Sequence, residues 1–334
     1  SICFIINKPV KREIFAADFR DRIVHHFIFN AMAPLFEKTF INDSYSCRVG
    51  KGTHYGIRRM DHFIRSCSRN YSTDCYILKL DIKGYFMAMN RTRLYDMVKT
   101  VLLQNSRRIT FDLALVLYLV HKTIFNDPTK NCIIKGSRSD WHGLPNTKSL
   151  FYAQPDCGLP IGNLTSQLFG NVYLNEFDHF VKRELDIRYY GRYVDDFILI
   201  HQNKEYLKTL IPRMKEYLLQ KLRLELHPDK IYLQHFTKGV KYLGAVIKPH
   251  RIYIANRTKG NFYEAMQKQN EIVRDHKPSR EELELFQSSM NSYLGILKHY
   301  KTWKIKRTIF KHLAGWWWNY VYVSGGLAKF VLKR

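Results

Sequence analysis

Tyr193-Val194-Asp195-Asp196 lies between the apolar runs Ile187-Arg188-Tyr189-Tyr190 and Phe197-Ile198-Leu199-Ile200. Two β-prone runs separated by acids read as a β-hairpin with the acids at its tip. Adjacent carboxylates repel and resist joint ionisation unless a cation holds them, so a Mg²⁺ site is a natural reason to place them together. The competing reading is a solvated turn, since Asp is itself a turn former.

A second strand-like run, Leu78-Lys79-Leu80-Asp81-Ile82-Lys83-Gly84-Tyr85-Phe86, also ends on a carboxylate, with an aromatic five residues beyond it. Two-metal phosphoryl transfer needs carboxylates from separate strands, so that one ion activates the attacking hydroxyl and the other steadies the leaving group. Asp81 and Asp195 meet that demand. Between them Gly158-Leu159-Pro160-Ile161-Gly162-Asn163-Leu164-Thr165-Ser166-Gln167-Leu168-Phe169 reads as a Gly/Pro loop entering an apolar helix. The first turn of such a helix offers backbone N–H groups and hydroxyls to a nucleotide or a template backbone.

These three motifs, in this order, resemble the reverse transcriptase family. The resemblance extends through Lys8-Pro9-Val10-Lys11-Arg12, Phe19-Arg20-Asp21-Arg22-Ile23-Val24 and Tyr45-Ser46-Cys47-Arg48-Val49-Gly50-Lys51-Gly52-Thr53-His54. Beyond the acid pair it continues in Leu226-His227-Pro228-Asp229-Lys230 and Gly239-Val240-Lys241-Tyr242-Leu243-Gly244, so that nearly the whole chain is covered. Retroviral and group II intron enzymes usually carry Gln-Gly followed by Ser-Pro in the loop before the helix. Here the loop has Ile161-Gly162 and Ser166-Gln167. That variant is similar to the reverse transcriptases of diversity-generating retroelements, which copy a template RNA with errors at adenines to rewrite a target gene. Group II intron-like and retron-like enzymes are the alternatives.

The resemblance implies an α+β right-hand polymerase fold with fingers, an antiparallel-sheet palm and a helical thumb. It assigns two Mg²⁺ ions, with Mn²⁺ able to substitute, to Asp81 and Asp195, the Ile82 carbonyl being a further oxygen ligand and Asp196 the less directly coordinating acid. Lys8 and Arg12 match positions that grip the incoming triphosphate, Arg through bidentate hydrogen bonds. Lys230 matches the position that protonates or steadies the leaving pyrophosphate. Phe86 matches the steric gate against a 2′-hydroxyl, and Ile161 with Gly162 faces the nucleotide. Arg48, Lys51, Ser166 and Gln167 fall at nucleic-acid-binding positions. The implied partners are template RNA, primer strand and cDNA, dNTPs and a small basic accessory protein, in a bacterial or phage-encoded cytoplasmic enzyme.

Composition agrees with a polyanionic partner. The 334 residues contain 54 Lys and Arg against 29 Asp and Glu, a net charge of +25, and such an excess points to nucleic acid. The longest apolar stretch, near Phe111 to Phe125, contains Asp112, His121 and Lys122 and is too short and too charged for a membrane span. The six cysteines form no Cys-x-x-Cys pair and no zinc spacing, as expected of reduced thiols. Ser1 opens directly into an apolar strand, which predicts native residues before it.

Periodicity predicts strands over 2–7 and 12–15, helices over 20–36 and 53–67, a helical stretch over 91–125 and a polar loop or ribbon over 127–154. Domains follow as fingers (1–74), palm (75–255, with inserted fingers elements near 100–157) and a basic, helical thumb (256–334). From Lys298 onward the chain has no Asp or Glu. Lys298, Lys301, Lys304, Arg307 and Lys311 recur every three or four residues and would share one face of a continuous helix; contact with a primer–template backbone is favoured over a merely solvated face. Trp316-Trp317-Trp318, Tyr320 and Tyr322 read as packing residues, with base stacking as the alternative.

Two other function classes share parts of this pattern. A non-catalytic RNA-binding scaffold would be expected to have lost its acids. A maturase-like intron protein would need a further basic domain.

Overall fold

The computed structural model describes residues 1–7 and 10–333. The chain runs through β1 (Ile2–Ile6), β2 (Arg12–Ala16), α1 (Phe19–Glu37), α2 (Thr53–Cys67), β3 (Tyr76–Asp81), the single turn α3 (Tyr85–Ala88), α4 (Arg91–Gln104) and α5 (Leu113–Phe125). It continues through β4 (Ile133–Ile134), α6 (Leu164–His179), β5 (Tyr189–Tyr193), β6 (Asp196–His201), α7 (Lys204–Leu222) and β7 (Tyr232–His235). There follow β8 (Val240–Tyr242), β9 (Ala245–Lys248), β10 (Arg251–Ile254), α8 (Asn256–Asp275), α9 (Arg280–Leu297), α10 (Trp303–His312), β11 (Val321–Ser324) and β12 (Lys329–Leu332). Two compact units result, Ser1–Gln234 and His235–Arg334.

In the first unit a four-stranded sheet has the order β5-β6-β3-β7. β3 and β6 are antiparallel, with Leu80 opposite Phe197 and Leu78 opposite Leu199. Those four side chains enter the main core together with Phe169, Leu174 and Phe177 of α6 and Leu207 and Met214 of α7. Cross-strand partners point to the same face of a sheet, so Ile77, Ile200 and Ile198 lie on the opposite face, where α2 packs and the Phe63 ring lies tilted against Tyr189 at 5.6 Å. Cover on both faces explains why β3 and β6 read as near-continuous apolar runs instead of alternating ones. The central helix α6 is buried around most of its circumference.

A three-stranded sheet, β2-β1-β4, stands at the start of the chain, β1 pairing antiparallel with β2 and parallel with β4. Glu13 of β2 is buried and accepts hydrogen bonds from Trp141 Nε1 (2.6 Å), Ser149 Oγ (2.7 Å) and the Leu150 N–H (2.6 Å). The polar segment over 127–154 is thereby tied to β2 as a chain of 3₁₀ turns.

The second unit holds β8-β9-β10, the helices α8 to α10 and the hairpin β11-β12. Ser279 and Glu282 form a reciprocal capping box at the start of α9, satisfying two otherwise orphaned N–H groups. Trp317 is fully buried, stacked on Phe286 at 3.9 Å, with its indole N–H donating to the Gln269 carbonyl. Its neighbour Trp316 is exposed, so only the middle tryptophan of the three is core.

The structure corrects three expectations. The helical stretch over 91–125 is two helices, because Asn105 ends α4 and Asp112 starts α5 by accepting from the Leu115 N–H. The basic stripe is not one helix face: α9 ends at Leu297, and Thr302 Oγ1 donates to the Leu297 carbonyl across the break before α10. Residues 240–254, read with the palm, fall in the second unit.

Candidate active site

β5 and β6 are joined by a two-residue turn, Val194-Asp195, closed by the Tyr193↔Asp196 pair. Val194 has φ 57°, the left-handed region that a β-branched residue rarely enters. A positive φ at the first turn position is the pattern of the tight hairpins whose twist matches that of the strands. Asp196 stands directly opposite Asp81, and the Ile82 N–H donates to the Asp195 carbonyl at 3.2 Å. All three acids are thus brought to one end of two neighbouring strands, as the motif spacing demands.

The charges there are unbalanced. Burial first, then the negative charge of Asp81, push the Asp195 carboxyl up to about 6. Burial also raises Asp196, opposed by Lys79, whose Nζ lies 2.8 Å from Asp196 Oδ2. Asp196 Oδ1 is buried without a hydrogen-bond partner. Lys230 Nζ donates to Asp81 Oδ1 at 2.7 Å.

Among the described residues no group of three or more His, Cys, Asp and Glu side chains forms a ready-made metal cage. A Mg²⁺ ion does not need one, since it keeps several waters and takes one or two protein carboxylates plus substrate phosphates. The donor set here fits that mode: a destabilised carboxylate at Asp195, an orphaned oxygen on Asp196, and a main-chain oxygen outside the sheet ladder. The last is Ile82. Its bridge to Leu226 is bonded through its neighbours, Lys83 N–H to Glu225 C=O and His227 N–H to Asp81 C=O, which leaves the Ile82 carbonyl free of that ladder.

Beside the acids, the Phe86 ring rests on Gly170 of α6, as close as 3.5 Å to where a Cβ would stand. Phe86 and Ile161 both pack on the small cluster of Cys3, Phe15, Met87 and Leu150. The loop before α6 is held by main chain: the Phe15 N–H donates to the Ile161 carbonyl at 2.8 Å. Gly162 has φ 129°, and a Cβ there would lie 2.7 Å from the Phe15 carbonyl oxygen, so no other residue fits. Arg12 opens the same strand, exposed. Lys8 lies outside the described residues. Ser166 is buried and Gln167 exposed in the first turn of α6, whose N-cap Asn163 makes no side-chain cap bond. A cavity of about 360 Å³ opens there, lined by Asp21, His25, Lys122, Asn126, Thr165 and Ser166.

Arg48 and Lys51 make hydrogen bonds within the chain. Arg48 donates through Nε and Nη2 to Glu37 and through Nη1 to the Ile41 and Ser44 carbonyls, and its side chain is only 5% exposed. Lys51 donates to the Asn42 carbonyl and to Asn42 Oδ1. Both brace the loop between α1 and α2. In the second unit Lys298, Lys301 and Lys304 line a groove of about 1150 Å³ with Arg251, Tyr253 and Trp303, while Arg307 and Lys311 lie farther along α10, exposed.

Sequence reasoning missed Lys79, Glu13 and the buried Arg192–Asp178 pair, whose closest N···O distance is 2.6 Å. Period-two spacing puts Lys79 on the face of Asp81. A charged residue inside the apolar β5 run was the signal for Arg192.

An antiparallel sheet carrying acids on adjacent strands, packed on helices and followed by a second, largely helical unit, defines a right-hand polymerase fold. The chain matches the family described as "Reverse transcriptase (RNA-dependent DNA polymerase)" over residues 7–247 and belongs to that family. It is 26% identical over 257 residues to Protein YkfC of Escherichia coli (strain K12), covering 67% of this chain and 60% of YkfC. Among solved structures, telomerase from Candida albicans in complex with a TWJ fragment of telomeric RNA is similar at a TM-score of 0.53 and 12% identity, covering 93% of this chain and 56% of that one. Apo telomerase from Candida tropicalis, truncated from its C-terminal domain, gives 0.51 and 15%, covering 76% and 54%. The chain therefore spans little more than half the length of these relatives. No described helix is long and apolar enough to cross a membrane.

Proposed function

We propose that the chain is an RNA-directed DNA polymerase that copies a template RNA into cDNA by Mg²⁺-dependent nucleotidyl transfer. The observation that carries this reading is the convergence of Asp81 and Asp195 from neighbouring strands, with burial and mutual repulsion raising Asp195. Asp81, Asp195 and the Ile82 carbonyl would hold two Mg²⁺ ions, with Mn²⁺ able to substitute; bound there, such ions supply charge neutralisation and an activated primer 3′-hydroxyl. Asp196, held by Lys79, serves as the outer acid. Lys230, an ammonium already beside Asp81, stands where it can give a proton to the leaving pyrophosphate. Arg12, with Lys8, meets the triphosphate. Phe86 serves as the steric gate against a 2′-hydroxyl, a role supported by its place five residues beyond Asp81 and its packing on Gly170, and the product is then DNA.

The finer reading is a diversity-generating retroelement enzyme that works with a small basic accessory protein and makes errors at template adenines for mutagenic retrohoming. Support for it lies in Ile161-Gly162 and Ser166-Gln167. Ile161 makes shape contacts only, where a Gln would hydrogen-bond the base-pair environment.

Primer extension on a defined RNA template, with an Asp195→Ala control and sequenced products, tests both levels. Extension lost in the control and errors enriched opposite adenine are expected. Accurate extension would shift the subclass to an intron-like or retron-like enzyme. Extension that survives Asp195→Ala would refute the catalytic assignment.

A further inference from the structure

Arg192 precedes the acid-bearing tip and is wholly buried. Its guanidinium is fully engaged. Nε donates to Asp178 Oδ1 at 2.8 Å, and Nη2 donates to Asp178 Oδ2 at 2.6 Å and Ser44 Oγ at 3.3 Å. Nη1 donates to the Val194 carbonyl at 2.9 Å and to Asn171 Oδ1 at 3.5 Å. Tyr190 also donates to Asp178, at 2.6 Å. The main chain is pinned as well, by Arg192 N–H to the Asp43 carbonyl and Tyr45 N–H to the Arg192 carbonyl.

One of these bonds reaches the turn itself. The Val194 carbonyl belongs to the same rigid peptide plane as the Asp195 N–H, so holding that oxygen sets the direction in which Asp195 leaves the turn. The turn residue so held is Val194, at φ 57°, a conformation that persists only where its surroundings over-determine it.

We propose that Arg192 is a positioning residue: anchored on α6 through Asp178, it holds the Val194 carbonyl and thereby aims Asp195 at Asp81. The inference rests on the catalytic reading of Asp195. Lysine cannot replace it, having a point charge and no planar fork to span a carboxylate and a turn carbonyl together.

The test separates aim from folding. Replacing a buried ion pair by apolar residues of similar volume is often neutral for stability, so the double variant Arg192→Met with Asp178→Leu keeps the core filled while releasing the turn. Arg192→Lys keeps the charge. For each, thermal melting, hydrogen exchange of the peptide over 189–197 and single-turnover extension kinetics are measured beside wild type and Asp195→Ala. A double variant that melts near wild type is expected to lose exchange protection at the tip and about a hundredfold in the chemical step, with dNTP affinity changed far less. Arg192→Lys is expected to show the same split. A folded variant with wild-type protection and rate overturns the proposal, and collapse of both variants assigns the network to folding and also overturns it. Full extension by Asp195→Ala would instead overturn the underlying catalytic reading.

Discussion

Asp195→Asn is expected to stabilise the metal-free protein while abolishing extension. Burial and Asp81 raise the Asp195 carboxyl from 3.8 to about 6, so the folded state binds a proton more tightly than the unfolded chain. The stability from that proton is complete below 3.8 and is lost as pH rises through about 6. At about 1.36 kcal/mol per pH unit the shift corresponds to ~3 kcal/mol at neutral pH. Allowing for the part of this carboxylate that water still reaches brings the expected gain to ~1–2 kcal/mol. An asparagine of the same shape carries no charge and escapes the loss. For a unit of this size the gain is about 2–8 °C in Tm. The assay is thermal unfolding in EDTA across roughly pH 4.5 to 8, where the gap between variant and wild type opens with rising pH. Adding Mg²⁺ closes the gap by stabilising the wild type alone. An Asn variant no more stable than wild type at neutral pH, or a gap that does not move with pH, would refute the reasoning.

Phe86→Val opens space beside the sugar, and ribonucleotide incorporation measured against dNTP is expected to rise about tenfold to a hundredfold. Ile161→Gln adds one polar contact at the loop before α6, expected to lower the error rate by about tenfold to a hundredfold, as 1–3 kcal/mol of discrimination implies; product sequencing with an unchanged error spectrum would remove the idea. Glu13→Gln turns a carboxylate with three donors on it into an amide that meets them with its own NH₂. A loss of ~2 kcal/mol is expected by thermal unfolding, together with faster proteolysis over 138–152.

The palm elements were legible because each carries its own local signal. Apolar β3 and β6 runs, an Asp at the end of one and a pair at the turn into the other, and Gly-Pro punctuation before α6 all survive folding unchanged. The break at Lys298–Thr302 was not legible, since Lys, Tyr and Thr continue a helical spacing without a breaker; it is closed by the Thr302 hydroxyl on the Leu297 carbonyl. The intramolecular partners of Arg48 and Lys51 were hidden for a related reason. Their sequence position says basic loop, but only the fold brings Glu37 and Asn42 within reach. The Arg192 network joins residues from three separate segments, and such long-range pairing leaves no periodic trace in a single sequence.

The main-chain anchoring of the loop before α6 has a bearing on how this chain can change. Because the Phe15 N–H grips the Ile161 carbonyl, and Gly162 keeps the two strands of chain in close approach without any side chain, the loop has a main-chain anchor that does not depend on the identity of residue 161. On the proposed reading of Ile161 as a fidelity position, copying accuracy would drift through substitution there while the main-chain anchor stays in place. Position 162 admits no such freedom, so the pair combines one site open to variation with one that sequence change cannot enter.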